Sequence, residues 1–219
     1  MSAQEIYDRI KQEGVIVIVR GIDSEVIVDI AQALFEGGIK LFEVTCNTDG
    51  AFEIIKKLSS EVGEQMLIGA GTVLSIDDCK QALKAGAQYI VSPDVNPELI
   101  DFCMKKDVAV IPGALTATEV LTAKRLGAKI VKIFPAATLG VDYIKSLRGP
   151  IDDIDFIAIG GVRLEKARDF IRAGCTGIGI GGAVIKKEWV MIRDWHSMTR
   201  AARYYSEEVR REKQSELKK

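Results

Sequence analysis

Strand-like apolar runs recur along this chain roughly every 20 to 26 residues, and that period constrains the fold more tightly than any other feature. In order they read V-I-V-I-V (15–19), K-L-F-E-V-T (40–45), M-L-I-G-A-G-T (66–72), Y-I-V-S-P (89–93), V-A-V-I-P-G (108–113), K-I-V-K-I-F-P (129–135), D-F-I-A-I-G-G (155–161) and T-G-I-G-I-G-G (176–182). The segments between them carry an apolar stripe at spacings of three and four, as in Val26, Ile30, Ala33 and Leu34, or Ile54, Ile55 and Leu58, which is the pattern of a half-buried helix. Several of these segments end on glycine, at Gly37-Gly38, Gly86, Gly127 and Gly174, where a helix terminus turns into a positive φ. Eight such βα units with continuously apolar strands predict an α/β fold, a single (β/α)8 TIM barrel closed by parallel pairing. The alternative, a doubly wound open sheet, wants a G-x-G-x-x-G turn after the first strand, and none follows 15–19.

The chain reads as one domain, 1–219, with the barrel over about 14–185, a helical lead-in at 2–13 and a C-terminal helical extension over about 186–219. That extension has one long charged pattern with aromatic residues at Trp189, Trp195, Tyr204 and Tyr205. Its first half is expected to cover the barrel and its Arg/Glu/Lys-rich end to be exposed or frayed. Thirty basic residues against 31 acidic ones give a formal charge of −1, which supplies no field for nucleic acid or an anionic membrane and favours a small-molecule partner. The charged N-terminus carries no signal-like apolar core, and no apolar run could span a bilayer, so a soluble cytoplasmic protein is expected. Cys46, Cys79, Cys103 and Cys175 form no C-x-x-C pair and the one histidine is His196. Buried free thiols with no metal site and no disulfide framework are expected, and a Ser-His-Asp or Cys-His mechanism is excluded unless His196, in the charged C-terminal helical stretch, serves.

In the run 128–135, alternation puts Ile130, Lys132 and Phe134 on one face of the strand. An amine enclosed there loses hydration and is pushed toward its neutral, nucleophilic form, which imine chemistry requires. The plainer reading has Lys132 reaching from the strand end into water. On the second strand Leu41, Glu43 and Thr45 share a face, so an inward Glu43 would meet Lys132 at the barrel mouth and could relay protons. A plainer role for Glu43 is an ion pair with Arg20. Gly160-Gly161 and Gly181-Gly182 end the last two strands, where backbone N–H groups of a barrel can hold a phosphate. The plainer reading of such glycines is strand termination.

With these features in place, the chain resembles the 2-keto-3-deoxy-6-phosphogluconate (KDPG) aldolase family, class I pyruvate aldolases with a (β/α)8 barrel and usually a trimeric assembly. The markers are E-V-T around Glu43, G-A-G-T-V at 69–73, I-V-S-P at 90–93, I-P-G at 111–113, K-I-F-P at 132–135 and the two late Gly-Gly turns, spread over about 14–185. The resemblance implies Lys132 as the Schiff-base lysine and Glu43 as the general acid/base. Thr72 would bind the pyruvate carboxylate with Arg20 nearby, Pro93 and Phe134 would shape the pocket, and Gly160, Gly161, Gly181 and Gly182 would hold phosphate. It implies no cofactor, a phosphorylated keto acid substrate, and a homotrimer.

Three positions depart from the family pattern. Asn47 stands where many members have arginine, Ile159 where many have a threonine that touches a substrate hydroxyl, and Gly182-Ala183 where a serine commonly binds phosphate. The first two resemble the branch acting on the C4 epimer, 2-keto-3-deoxy-6-phosphogalactonate, and an apolar Ile159 implies altered or loose stereochemical preference. The expected reaction is cleavage of KDPG or this epimer to pyruvate and D-glyceraldehyde 3-phosphate, with 4-hydroxy-2-oxoglutarate as a variant substrate. Two other classes stay open: a phosphate-binding barrel isomerase or epimerase using Lys132 electrostatically, and a non-catalytic barrel serving as a binding or assembly module. Borohydride trapping of pyruvate on Lys132 separates them.

Overall fold

The computed structural model describes residues 1–216. Nine parallel segments form one sheet: β1 (Val15–Val19), β2 (Leu41–Thr45), β3 (Leu67–Gly71), β4 (Tyr89–Val91), β5 (Ala109–Ile111), β6 (Gly113–Ala114), β7 (Ile130–Ile133), β8 (Asp155–Ile159) and β9 (Gly177–Ile180). Their pairing order is β5-β4-β3-β2-β1-β9-β8-β7-β6. The two terminal segments, β5 and β6, are consecutive in the chain with only Pro112 between them, so the sheet closes on itself as the predicted eight-stranded barrel. The fifth strand is split because Pro112 has no N–H to give its neighbour, yet its carbonyl still accepts from the Lys132 N–H at 2.9 Å.

The helices around the sheet are α2 (Ile27–Glu36), α3 (Ala51–Val62), α4 (Ile76–Lys84), α5 (Pro97–Lys105), α6 (Ala117–Arg125), the short α7 (Ala136–Leu139), α8 (Val141–Arg148), α9 (Leu164–Arg172), α10 (Lys187–Met191) and α11 (Trp195–Glu216). Ahead of them, α1 (Ala3–Glu13) starts on a Ser2/Glu5 capping box and stops at Gly14, φ 71°. Its buried Ile6, Tyr7 and Ile10 pack among the inward residues Ile16, Leu41, Leu67, Ala109 and Ile130. The Tyr7 hydroxyl accepts from the Val110 N–H at 2.8 Å and donates to the Val110 carbonyl at 3.2 Å. A helix thus floors the barrel at the strands' N-terminal end, which leaves the other end as its mouth.

Strand alternation sorts the interior from the wall. On β7, Ile130 belongs to the inner cluster and Val131 and Ile133 to the outer one; on β8, Ile157 and Ile159 face in while Phe156 and Ala158 face the helices. The same period turns Glu43 and Lys132 inward.

The C-terminal pattern departs from expectation in two ways. It is two helices rather than one, broken at 192–194, where Arg193 takes φ 54° and Asp194 accepts from the Ser197 N–H at 3.0 Å. The charged end is docked rather than frayed. Met198, Ala202, Tyr205 and Val209 form a buried stripe along α11, and Glu212 takes a two-pronged hydrogen bond from Arg172, both prongs 2.8 Å. Arg168 pairs with Glu208 beside it, and Lys213 donates to the Thr176 carbonyl at 3.0 Å. Charge hid this face because the Glu208 and Glu212 carboxylates are buried beneath arginine partners that stay partly exposed. Residues 217–219 of the predicted extension lie outside the described residues. No helix among the described residues is long and apolar enough to cross a membrane.

Candidate active site

Glu43 and Lys132 are the charged residues that the strands carry into the barrel interior, 1% and 5% exposed respectively. Each sits one level below the rim: Glu43 is in register with Ile18 and Gly69, and Lys132 with Gly113 and Ile157. Space for the Glu43 carboxylate comes from β3. A Cβ on Gly71 would lie 1.8 Å from Glu43 Oε1, so this inward glycine is where the carboxylate rests. One inward position earlier, the place of a Gly69 side chain is filled by the Tyr89 ring, 2.3 Å from a Cβ built there.

Burial sets the electrostatics. Loss of water holds the Glu43 carboxyl above its ordinary range, opposed by the positive charges of Lys132 and, more weakly, Arg20. The same loss pushes the Lys132 amine down; the Glu43 charge opposes the shift and Arg20 reinforces it. Glu43 Oε2 has no hydrogen-bond partner among the described residues, and the two groups form no direct ion pair. An enclosed amine and carboxyl, each pressed toward neutrality and close enough to sense the other's charge, can add a nucleophile to a carbonyl and pass the protons that follow. No group of three His, Cys, Asp or Glu side chains among the described residues could hold a metal.

Around this pair the rim assembles most of the other expected residues. Lys132 Nζ lies 4.8 Å from the centroid of the Phe134 ring, which is 39% exposed. Gly160, φ 96°, brings its backbone against the other part of that ring, where a Cβ would meet Phe134 at 3.0 Å, and Gly161, φ 72°, abuts Ala137. Ile159 is buried in the interior, filling the space that Gly179 leaves on β9. Across the mouth, Arg20 lies just beyond the end of β1 and its Nη2 donates to Thr72 Oγ1 at 3.4 Å. The plainer alternative for Glu43, an ion pair with Arg20, is not realised, because Arg20 is a rim residue and Glu43 lies deeper. Thr72 takes φ 55°, an uncommon conformation for a β-branched residue that concentrates where binding is done.

Other positions stand apart. Pro93 is half-buried, and its carbonyl is packed against Gly113, 2.4 Å from a Cβ built there. Asn47 is exposed on the β2–α3 loop. Gly181 lies under the Ile18 carbonyl, but Gly182 faces open space. A cleft of about 980 Å³ runs down the outer wall between α8 and α9 and touches the mouth only at Ala137 and Gly161, so volume alone does not locate the chemistry.

Two features escaped the sequence. Gly71 has a readable signal in the alternation Leu67, Gly69, Gly71, which leaves two successive inward positions empty. The hydroxyls of Thr45 and Thr48, 3.0 Å apart, have none beyond their polarity.

Comparison with known proteins places this geometry in context. A family model described as KDPG and KHG aldolase matches residues 6–201. The 2-dehydro-3-deoxy-phosphogluconate aldolase of Treponema pallidum is 36% identical over 167 residues, 76% of this chain and 79% of the relative. The 2-dehydro-3-deoxy-6-phosphogalactonate aldolase of Escherichia coli is also 36% identical, over 76% of this chain and 82% of its own length. A solved structure of KDPG aldolase from Legionella pneumophila, with pyruvate captured at low pH as a covalent carbinolamine intermediate, has a TM-score of 0.83 and 27% identity, covering 88% of this chain and 94% of that one.

Proposed function

The chain belongs to the KDPG and KHG aldolase family, and from that premise we propose that it cleaves 2-keto-3-deoxy-6-phosphogluconate or its C4 epimer, the galactonate, to pyruvate and D-glyceraldehyde 3-phosphate. The observation that carries the reading is the buried Lys132 facing a buried Glu43 at the open end of a floored barrel.

The neutral Lys132 amine adds to the C2 ketone, and Glu43 supplies and recovers the protons as the carbinolamine loses water to give an iminium. Glu43, ionised again, takes the proton of the C4 hydroxyl. The C3–C4 electron pair moves toward the iminium nitrogen, leaving an enamine on Lys132 and releasing the aldehyde. Protonation at C3 and hydrolysis return pyruvate and the free amine. The iminium nitrogen is the electron sink, so the cycle needs no metal and no cofactor.

Arg20 and Thr72 hold the carboxylate of the pyruvyl half, while Phe134 and Pro93 wall the reacting carbons. The backbone of Gly160 and Gly161, with Gly181 and Gly182 opposite, receives the phosphate. Ile159 offers no hydrogen bond to the C4 hydroxyl, so the two epimers should differ by no more than roughly tenfold in kcat/KM. The open Gly182 turn with hydroxyl-free Ala183 favours a second substrate, unphosphorylated 4-hydroxy-2-oxoglutarate. Asn47, exposed on its loop, is placed at the outer edge of the site. A single barrel domain with a helical extension, a homotrimer and a cytoplasmic setting complete the proposal.

The test is pyruvate release from both epimers and 4-hydroxy-2-oxoglutarate side by side, with borohydride reduction in the presence of pyruvate. The expected result is a stable adduct on Lys132 in the wild type and none in Lys132→Ala. Normal cleavage by Lys132→Ala would end the proposal.

A further inference from the structure

The end of β2 carries two hydroxyls that the mechanism above does not use. Thr45 is fully buried and Thr48 nearly so, and buried hydroxyls are kept only with partners. One arrangement of the two hydroxyl hydrogens satisfies all of their contacts. Thr45 Oγ1 donates to the Val19 carbonyl at 3.2 Å, which uses its only hydrogen. The 3.0 Å contact between Thr45 Oγ1 and Thr48 Oγ1 is therefore donated by Thr48. Thr48 Oγ1 in turn accepts from the Gly21 N–H at 3.1 Å. The relay runs from the Gly21 N–H through both hydroxyls to the Val19 carbonyl, and its two ends are the residues on either side of Arg20.

Beyond Val19 the chain has left the sheet, and Gly21, φ 64°, has nothing within 4 Å of the place a side chain would occupy. The hydroxyl relay ties the backbone of this turn to the barrel wall at both of its ends. Thr48 is itself anchored, its N–H donating to the Thr45 carbonyl at 2.9 Å and its carbonyl accepting from the Ala51 N–H at 3.1 Å. We propose that Thr45 and Thr48 are positioning residues for Arg20: they clamp its backbone from both sides so that its guanidinium stands beside Thr72, where the substrate carboxylate is received. The inference rests on the role given to Arg20 above and adds to it the device that holds Arg20 in place.

The test is the cycle of Thr48→Val, Arg20→Met and the double variant, with Thr48→Ser as the conservative control and KM, kcat and the melting point measured for each. Valine keeps the shape and removes the relay. The expected result is a KM for the keto acid raised roughly tenfold in T48V, about the worth of one lost buried hydrogen bond, with kcat within about twofold. T48S should restore KM, and T48V should add nothing once Arg20 is gone. The acidic limb of kcat/KM should move to higher pH in T48V and R20M alike, because a displaced or absent guanidinium no longer disfavours the Lys132 ammonium. A T48V enzyme with unchanged KM, or one whose effect adds in full to that of R20M, overturns the inference alone. Unchanged KM in R20M overturns the inference together with the role of Arg20. If T48V does not fold, Thr48→Ala carries the same comparison.

Discussion

Gly71→Ala is expected to lower turnover by roughly a hundredfold while leaving the barrel folded, because the new methyl would occupy the place of the Glu43 carboxylate. The alanine Cβ would lie 1.8 Å from Oε1, 2.5 Å from Cδ and 2.7 Å from Cγ of Glu43. Restoring an ordinary separation of roughly 3.5 Å requires the carboxylate to retreat by about 1.5 to 2 Å. A misplacement of about 1 Å can already cost a hundredfold in rate. The obstacle is the far end of a flexible side chain, so the strand need not move, and the stability loss should stay within about 1 to 3 kcal/mol. Glu43→Asp in the same chain shortens the side chain and should recover most of that loss without recovering turnover. Gly69→Ala is the contrast, since its Cβ would meet the rigid Tyr89 ring at 2.3 Å and should act mainly on stability. The assays are initial rates of pyruvate release at saturating substrate and thermal melting of wild type and the three variants. Turnover within threefold of wild type in Gly71→Ala would refute the placement of Glu43 as the proton-transfer group.

Other outcomes follow from the same site. Glu43→Gln should change the pH dependence of stability. Because burial raises the folded-state carboxyl above its ordinary value, the native protein keeps a proton that the unfolded chain releases, and wild-type stability falls as pH rises from 4.5 through the raised value. The glutamine variant lacks that slope, so its melting point should gain on wild type across that window; parallel curves would count against it. Thr72→Gly relieves a φ of 55° and should melt no lower than wild type, gaining up to about 1 kcal/mol, while KM for pyruvate rises; lower stability would show that Thr72 is not strained. Glu212→Ala should lower the melting point by about 2 to 4 °C and speed amide exchange over the last turns of α11 without changing kcat, a result checked by exchange mass spectrometry.

What was legible in the sequence is what a period of two encodes. Lys132 stands out because it alone is charged within 130–134, and alternation then states which face it shares with Ile130 and Phe134. Glu43 is legible in the same way on β2. The barrel itself follows from eight apolar runs, and Pro112 splits the fifth without changing its place. Features that depend on tertiary contact were not legible. A glycine such as Gly71 is missing a side chain, and only the neighbouring strand shows what fills the gap. Thr48 reaches Gly21 across a loop, a helix and a strand, and Glu212 reads as solvent-facing until Arg172 is set beside it. The turn at Arg193 likewise interrupts an unbroken helical pattern for a reason the surrounding residues do not display.

The fold and the proposed chemistry meet in the difference of depth between Arg20 and Lys132. An amine walled by Ile130, Ile157 and Phe134 over a helical floor is neutralised by burial first, and a second cation helps only if it is near enough to disfavour the ammonium. Arg20 meets that condition from the rim, one step above Glu43 in the register of β1 with β2, where its own charge stays solvated. Its charge lowers the affinity of both Lys132 and Glu43 for protons, favouring a free amine and an ionised base before substrate arrives. In the proposed cycle, a keto acid carboxylate beside Arg20 would neutralise that charge, and Glu43 would then bind its proton more readily. That is the direction required when the carbinolamine must be protonated to lose water. A cation further out would be screened by water and salt. The Thr45–Thr48 relay holds the turn at the depth where one guanidinium can serve both ends of the reaction.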